Sequence, residues 1–188
     1  MIKEYQIKEN HKFPYIEPNV SCIGYFDGVH KGHQALIAKT VKEAKRLNVK
    51  PYLITFLPDP SDVVTGKKTD HINTFERRME LFEKFGIEGV IVIDFNKDIM
   101  ALPEKNFSDK YLKKLNLKGL VCGFDFHYGF KGQGDFKSLK KDLKNYCPIY
   151  MVEEVTYYGK KVSSTRIKKI LNKGNIKLAN KLLGYEYK

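Results

Sequence analysis

GYFDGVHKGH, Gly24 to His33, stands where an apolar run hands over to a segment of helical periodicity. Ahead of it, Val20, Ser21, Cys22 and Ile23 form a short apolar stretch, and behind it Leu36, Ile37, Val41, Ala44 and Leu47 recur at helical spacing. The motif therefore reads as a strand-to-helix turn. Gly24, Gly28 and Gly32 lack a Cβ and let the backbone approach a ligand, while the free amides and dipole of a new helix favour an anion. His30 and His33 fall on one face if the helix has begun by that point. Both rings can then donate to phosphate oxygens and strengthen those bonds as charge builds on a leaving group. Such a pair also occurs on plain surface turns and in zinc sites, but no cysteine or carboxylate cluster here supplies the other tetrahedral ligands.

Outward from the motif the pattern alternates. Short Val- and Ile-rich runs at 20–23, 52–56, 90–95, 120–123 and 149–155 read as strands, and 34–47, 74–85, 103–115 and 135–145 read as helices. This predicts an α/β fold in which a five-stranded parallel sheet carries helices on both faces. Loops at the carboxyl ends of its strands should converge on one ligand-binding edge. Residues 157–160 read as a tight turn, and two short helices divided by Lys173, Gly174 and Asn175 close the chain. No repeat or linker interrupts residues 1–188, so a single domain is expected.

Apolar residues make up 42% of the 188 positions, enough for a full core. The net charge of +12 is nearly all lysine, spread along the helices without an arginine-rich block. That argues against nucleic acid as the main partner and suits a positive field that gathers nucleotide substrates and weakens with salt. No run of about twenty apolar residues and no secretory h-region is present, which excludes a membrane span and points to the cytoplasm. Cys22, Cys122 and Cys147 form no C-x-x-C and read as small buried hydrophobes in a reducing compartment.

Three further stretches carry chemistry. In GFDFHYGFKGQGD (123–135), glycines allow a close fold over a ligand, and Phe124, Phe126, Tyr128 and Phe130 offer flat faces to a planar ring. Of these, Phe124 and Phe130 are expected to anchor the loop to the core. In VSSTRIKKIL (162–171), Ser163 or Ser164 caps a helix whose start makes a second anion site. In TFLPDP (55–60), two prolines stiffen a loop.

The ten-residue string resembles the G-x-F-D-G-V-H-x-G-H signature of the bacterial FMN adenylyltransferase (FAD synthetase) module, a branch of the H-x-G-H nucleotidyltransferases with a Rossmann-like fold. The other stretches are similar to that family's G-x-[DN]-F-x-F-G loop, S-S-T-x-I-R motif and F-x-P-H-P loop, and 171–184 matches its closing L-x-x-G-N-x-x-x-A-N-x-L-L-G. The resemblance thus spans essentially the whole chain. It implies transfer of AMP from ATP to FMN, giving FAD and pyrophosphate, with Mg²⁺ accompanying ATP and its protein ligands unassigned. His30, His33 and Lys168 fall at catalytic positions. Gly24, Tyr25, Phe26, Asp27, Gly28, Gly32, Ser163, Ser164 and Thr165 fall on the nucleotide, and Phe56, Pro58, Asp125, Phe126, Tyr128 and Gly129 on the flavin. Two departures stand out: Lys168 replaces the final arginine, and Asp59 replaces a histidine, with its role left open. Where the common bifunctional form continues into a riboflavin kinase barrel, this chain stops at Lys188, so the resemblance implies a monofunctional enzyme. The alternatives are an H-x-G-H transferase with another phosphorylated acceptor, against which the aromatic loop argues, and a non-catalytic flavin- or nucleotide-binding module, against which both histidines argue.

Overall fold

In the computed structural model, which describes residues 2–9 and 11–187, the sheet has six strands rather than the expected five. The addition is β1 (Lys3–Ile7), which pairs in parallel with a strand far along the chain, Lys3 opposite Gly89 and Ile7 opposite Ile93. It is an edge strand in which Ile7 alone is buried, so it carries no apolar run for the sequence pattern to reveal.

The remaining elements follow the anticipated alternation. β2 (Asn19–Ile23) leads through the motif to α1 (Lys31–Leu47), then β3 (Lys50–Leu57), α2 (Pro60–Thr65), α3 (Phe75–Lys84) and β4 (Gly89–Asp94). The second half runs α4 (Lys97–Met100), α5 (Glu104–Lys110), β5 (Leu117–Gly123), α6 (Phe136–Asp142) and β6 (Ile149–Val152). A hairpin of β7 (Thr156–Tyr157) and β8 (Lys160–Lys161) precedes α7 (Ser164–Asn172) and α8 (Ile176–Leu183). The expected single helix over 103–115 is interrupted. Tyr111 is the C-cap of α5 (φ −114°, ψ −67°), and only a 3-10 turn over Leu112–Lys114 follows. The short helices α2 and α4 lie in stretches that the periodicity left as loop.

All six strands run parallel in the order β1-β4-β3-β2-β5-β6. Both faces are covered, and alternate residues serve opposite cores. Ile54, Ile91 and Ile93 face one core with Phe107, Leu112 and Leu139, while Leu53, Val90 and Val92 face the other with Ile37, Ala44 and Phe82. From β2 the chain winds outward through β3 to β4, then returns to place β5 and β6 on the other side. The reversal opens a crevice at the carboxyl ends of β2 and β5, and both H-x-G-H and the aromatic loop leave the sheet there.

The three cysteines are buried and unpaired, with burial pushing each thiol up to about 12. Among the described residues no helix is long and apolar enough to cross a membrane.

Candidate active site

Between β2 and α1 the backbone is bent by three departures from ordinary dihedrals within four residues. Phe26 (φ +64°), Gly28 (φ +79°) and Val29 (φ +36°) all take positive φ around a 3-10 turn. The turn delivers His30 not as the first helical residue but as the N-cap of α1. Its Nδ1 accepts from the His33 amide at 3.4 Å, which leaves the proton of the neutral ring on Nε2. The two imidazoles stack, centroids 3.7 Å apart and planes 16° from parallel, and the Phe26 ring lies 5.1 Å from that of His33. Gly32 makes this possible, since a Cβ there would come within 3.1 Å of the His30 ring. Burial drives the His30 pKa down to about 4 against the upward pull of Asp27, and it holds His33 well below the usual imidazole range, helped by His30 and Arg78. Both rings are therefore neutral at pH 7 and serve as hydrogen-bonding groups. His33 Nδ1 is buried without a hydrogen-bond partner.

The histidines form one wall of a cleft of about 600 Å³, together with Gly24, Tyr25 and Gly32. The facing wall is the start of α7: Ser163 caps it by accepting from the Arg166 amide at 3.3 Å, and Ser164 and Thr165 follow. Ser164 donates to the Asp27 carbonyl at 2.8 Å, locking the two walls together. Lys161, on β8, supplies a cation to the same cleft. It pairs with Asp125 and lies 4.8 Å from the Phe124 ring centroid. Arg166 cannot join it, because its guanidinium is spent on the carbonyls of Tyr157, Lys160 and Lys161, pinning the hairpin.

A second, apolar cavity of about 620 Å³ adjoins the first and is lined by Phe95, Ile99, Phe107, Tyr128, Gly129 and Phe130 among others. Phe56, Pro60, Phe126 and His127 line both. Gly129 (φ +72°) lets the loop pass α5, where a Cβ would come within 2.8 Å of the Glu104 backbone. A further concavity of about 620 Å³, bordered by Glu17, Lys50 and Glu88, lies at the opposite, amino-terminal ends of the strands and holds none of the motif residues.

The geometry places several of the expected site residues elsewhere than the cleft wall. Phe26, Asp27, Gly28, Pro58 and Lys168 do not line the cleft. Phe26 is core, and Gly28 is seated on Ile72, which a Cβ would meet at 2.7 Å. Asp27 is buried, its Oδ1 accepting from the Ile72 amide and its Oδ2 lying 2.7 Å from Lys168 Nζ. Lys168 thus faces the underside of the turn. Pro58 faces a separate small pocket beside His71, and Pro60 takes its place in the cavity wall. Asp125 lines the cleft on the histidine side and not the apolar cavity. The anchoring of the aromatic loop is reversed: Phe124 and Phe130 are 40% exposed, while Tyr128 is buried and stacks on Phe126. Asp59, whose role was open, caps α2 through Ser61 and faces His71 across 3.6 Å. Sequence reasoning passed over Lys161, whose position between a turn and the S-S-T motif was its one signal, and over Phe107 and Ile99, which look like ordinary core residues.

A parallel sheet whose switch point lies beneath an H-x-G-H turn, facing a serine-capped helix, defines a Rossmann-like domain with its cleft at the carboxyl ends of the strands. The FAD synthetase family model matches residues 13–166, and the chain belongs to that family. A bifunctional riboflavin kinase/FMN adenylyltransferase of Bacillus subtilis is 39% identical over 191 aligned positions, covering 100% of this chain and 57% of the relative. Its counterpart in Listeria monocytogenes is 34% identical, covering 89% of the chain and 54% of the relative. The chain therefore spans little more than half the length of these curated relatives. A crystal structure described as a macrolide-efflux protein from Streptococcus pneumoniae superposes with TM-score 0.84 at 31% identity, covering 100% of this chain and 63% of that one.

Proposed function

We propose that this domain transfers AMP from ATP to FMN, releasing pyrophosphate and forming FAD. One observation carries the reading: the cleft with paired imidazoles shares the walls Phe56, Pro60, Phe126 and His127 with a neighbouring apolar aromatic cavity, in a chain of the FAD synthetase family. The triphosphate lies in the first and the isoalloxazine in the second, so that the FMN phosphate meets the α-phosphorus near their junction. A terminal phosphate oxygen of FMN attacks in line, its new bond to phosphorus forming as the bond to the β-phosphate bridging oxygen breaks. That nucleophile is largely ionised at neutral pH, so no protein base or covalent intermediate is required, and catalysis is positioning plus stabilisation of charge.

The His30 Nε2 proton and the His33 ring serve the phosphate oxygens, the start of α7 holds them from the facing wall, and Lys161 supplies positive charge once drawn from Asp125. Among the described residues no three His, Cys, Asp or Glu side chains converge as a metal cage. An Mg²⁺ carried in on the triphosphate would keep phosphate oxygens and water as its main ligands and would neutralise charge there; Asp125, Glu153 and Glu154 are the carboxylates that line the cleft.

Incubation with FMN, ATP and Mg²⁺ followed by chromatography should yield FAD, with riboflavin left unphosphorylated as a control. FMN binding without FAD formation would overturn the reading in favour of a non-catalytic flavin-holding module.

A further inference from the structure

Gly28 and Val29, immediately ahead of His30, both take positive φ. For a β-branched valine that conformation is strained and persists only where the surroundings hold it. What holds it comes from the far end of the chain. Gly184 (φ +77°) ends α8 and turns the backbone so that Tyr185 lies against the turn. A Cβ at this glycine would come within 3.0 Å of Gln34 Oε1.

The Tyr185 hydroxyl is 2.6 Å from the Gly28 carbonyl oxygen and 2.8 Å from Asn73 Oδ1. It has one proton for two neighbours. Both contacts are satisfied when it donates to Gly28 and accepts from Asn73, whose amide presents either end by a half-turn. Burial pushes the phenol up to about 12 and keeps it protonated. Gln34 takes the next carbonyl, its Nε2 donating to Val29 at 2.8 Å and to Leu183 at 2.6 Å. Two consecutive carbonyls of the strained turn are thus tied to residues 183–185.

We propose that Tyr185 is a positioning residue for the adenylyl transfer: its hydroxyl fixes the Gly28 peptide and through it the place of the His30 ring in the cleft. This deepens the function proposed above and rests on it. The test is Tyr185→Phe in the full chain, which keeps the ring and removes the tie. The turnover number for FAD formation should fall about tenfold, the scale expected of a small misplacement, with the KM for FMN unchanged because Tyr185 does not reach the apolar cavity. The His30 ring, followed by NMR, should titrate above its wild-type midpoint near 4 as it loosens toward water. The charges acting on that ring, Asp27, Asp125 and Lys161, stay in place. Gln34→Met, which removes the second tie, should move both readings in the same direction and serves if the first variant folds poorly. Unchanged turnover with an unchanged His30 titration overturns the proposal, and so does lower turnover with the titration unmoved, the mark of a merely structural role. The titration needs no product, so a wild-type chain that forms no FAD would sink the functional reading and leave the tie decided on its own.

Discussion

The two compartments of the cleft are built by different means. The imidazole end is a backbone construction: three positive-φ residues, a glycine that admits a ring and an N-cap histidine leave little room for variation. The apolar end is assembled from side chains on β3, α2, α4, α5 and the aromatic loop. The lesson is that damage to the first should be abrupt and damage to the second graded.

Acid gives the largest expected effect. His30 has a folded-state pKa near 4 against about 6.5 in the unfolded chain. Between these values the unfolded state binds more protons, so stability is complete above pH 6.5 and falls as the pH drops toward 4. The loss is about 3 kcal/mol from this ring, with His33 adding in the same direction. Denaturant titrations at pH 7 and pH 4 measure it, and His30→Gln should flatten the difference.

Next comes His33→Ala, expected to lower the turnover number about a hundredfold by removing one preorganised donor. Near-normal turnover would break the contrast at its stronger side. Lys168→Met should cost about 2 kcal/mol of stability by stranding the buried Asp27 carboxylate, a buried-pair figure discounted for the partial exposure of the lysine. A raised KM for ATP at unchanged stability would instead place that lysine on the phosphates. The smallest effect is that of Val64→Asp at the rim of the apolar cavity, where the side chain is 63% exposed. The KM for FMN should rise about fivefold, the worth of a modest apolar contact, with the melting temperature unmoved. A complete loss of FMN binding would show that this compartment too depends on single residues.

The same contrast explains what could be read from the sequence. The imidazole end was legible because glycines and histidines are contiguous there, and one local string encodes the strand end, the turn and the helix start. The parallel sheet was legible through its buried strands, while β1 was hidden by its polar edge position. In the aromatic loop, Phe124, Phe126, Tyr128 and Phe130 are evenly spaced by two, so periodicity cannot separate those that face the core from those that face solvent. The separation arises where the chain folds back to bridge Tyr128 with Gly134. The facing of Lys168 was equally out of reach, since it depends on Asp27, 141 positions away in the chain and buried under the turn.

Phe56 and Phe126 belong to both compartments. Under the function proposed above, a molecule seated on one side of these rings would set the surface that the other molecule meets, and the two would be thermodynamically coupled through a common partition. Whatever factor one of them imposes on the affinity of the other must be returned unchanged in the opposite direction.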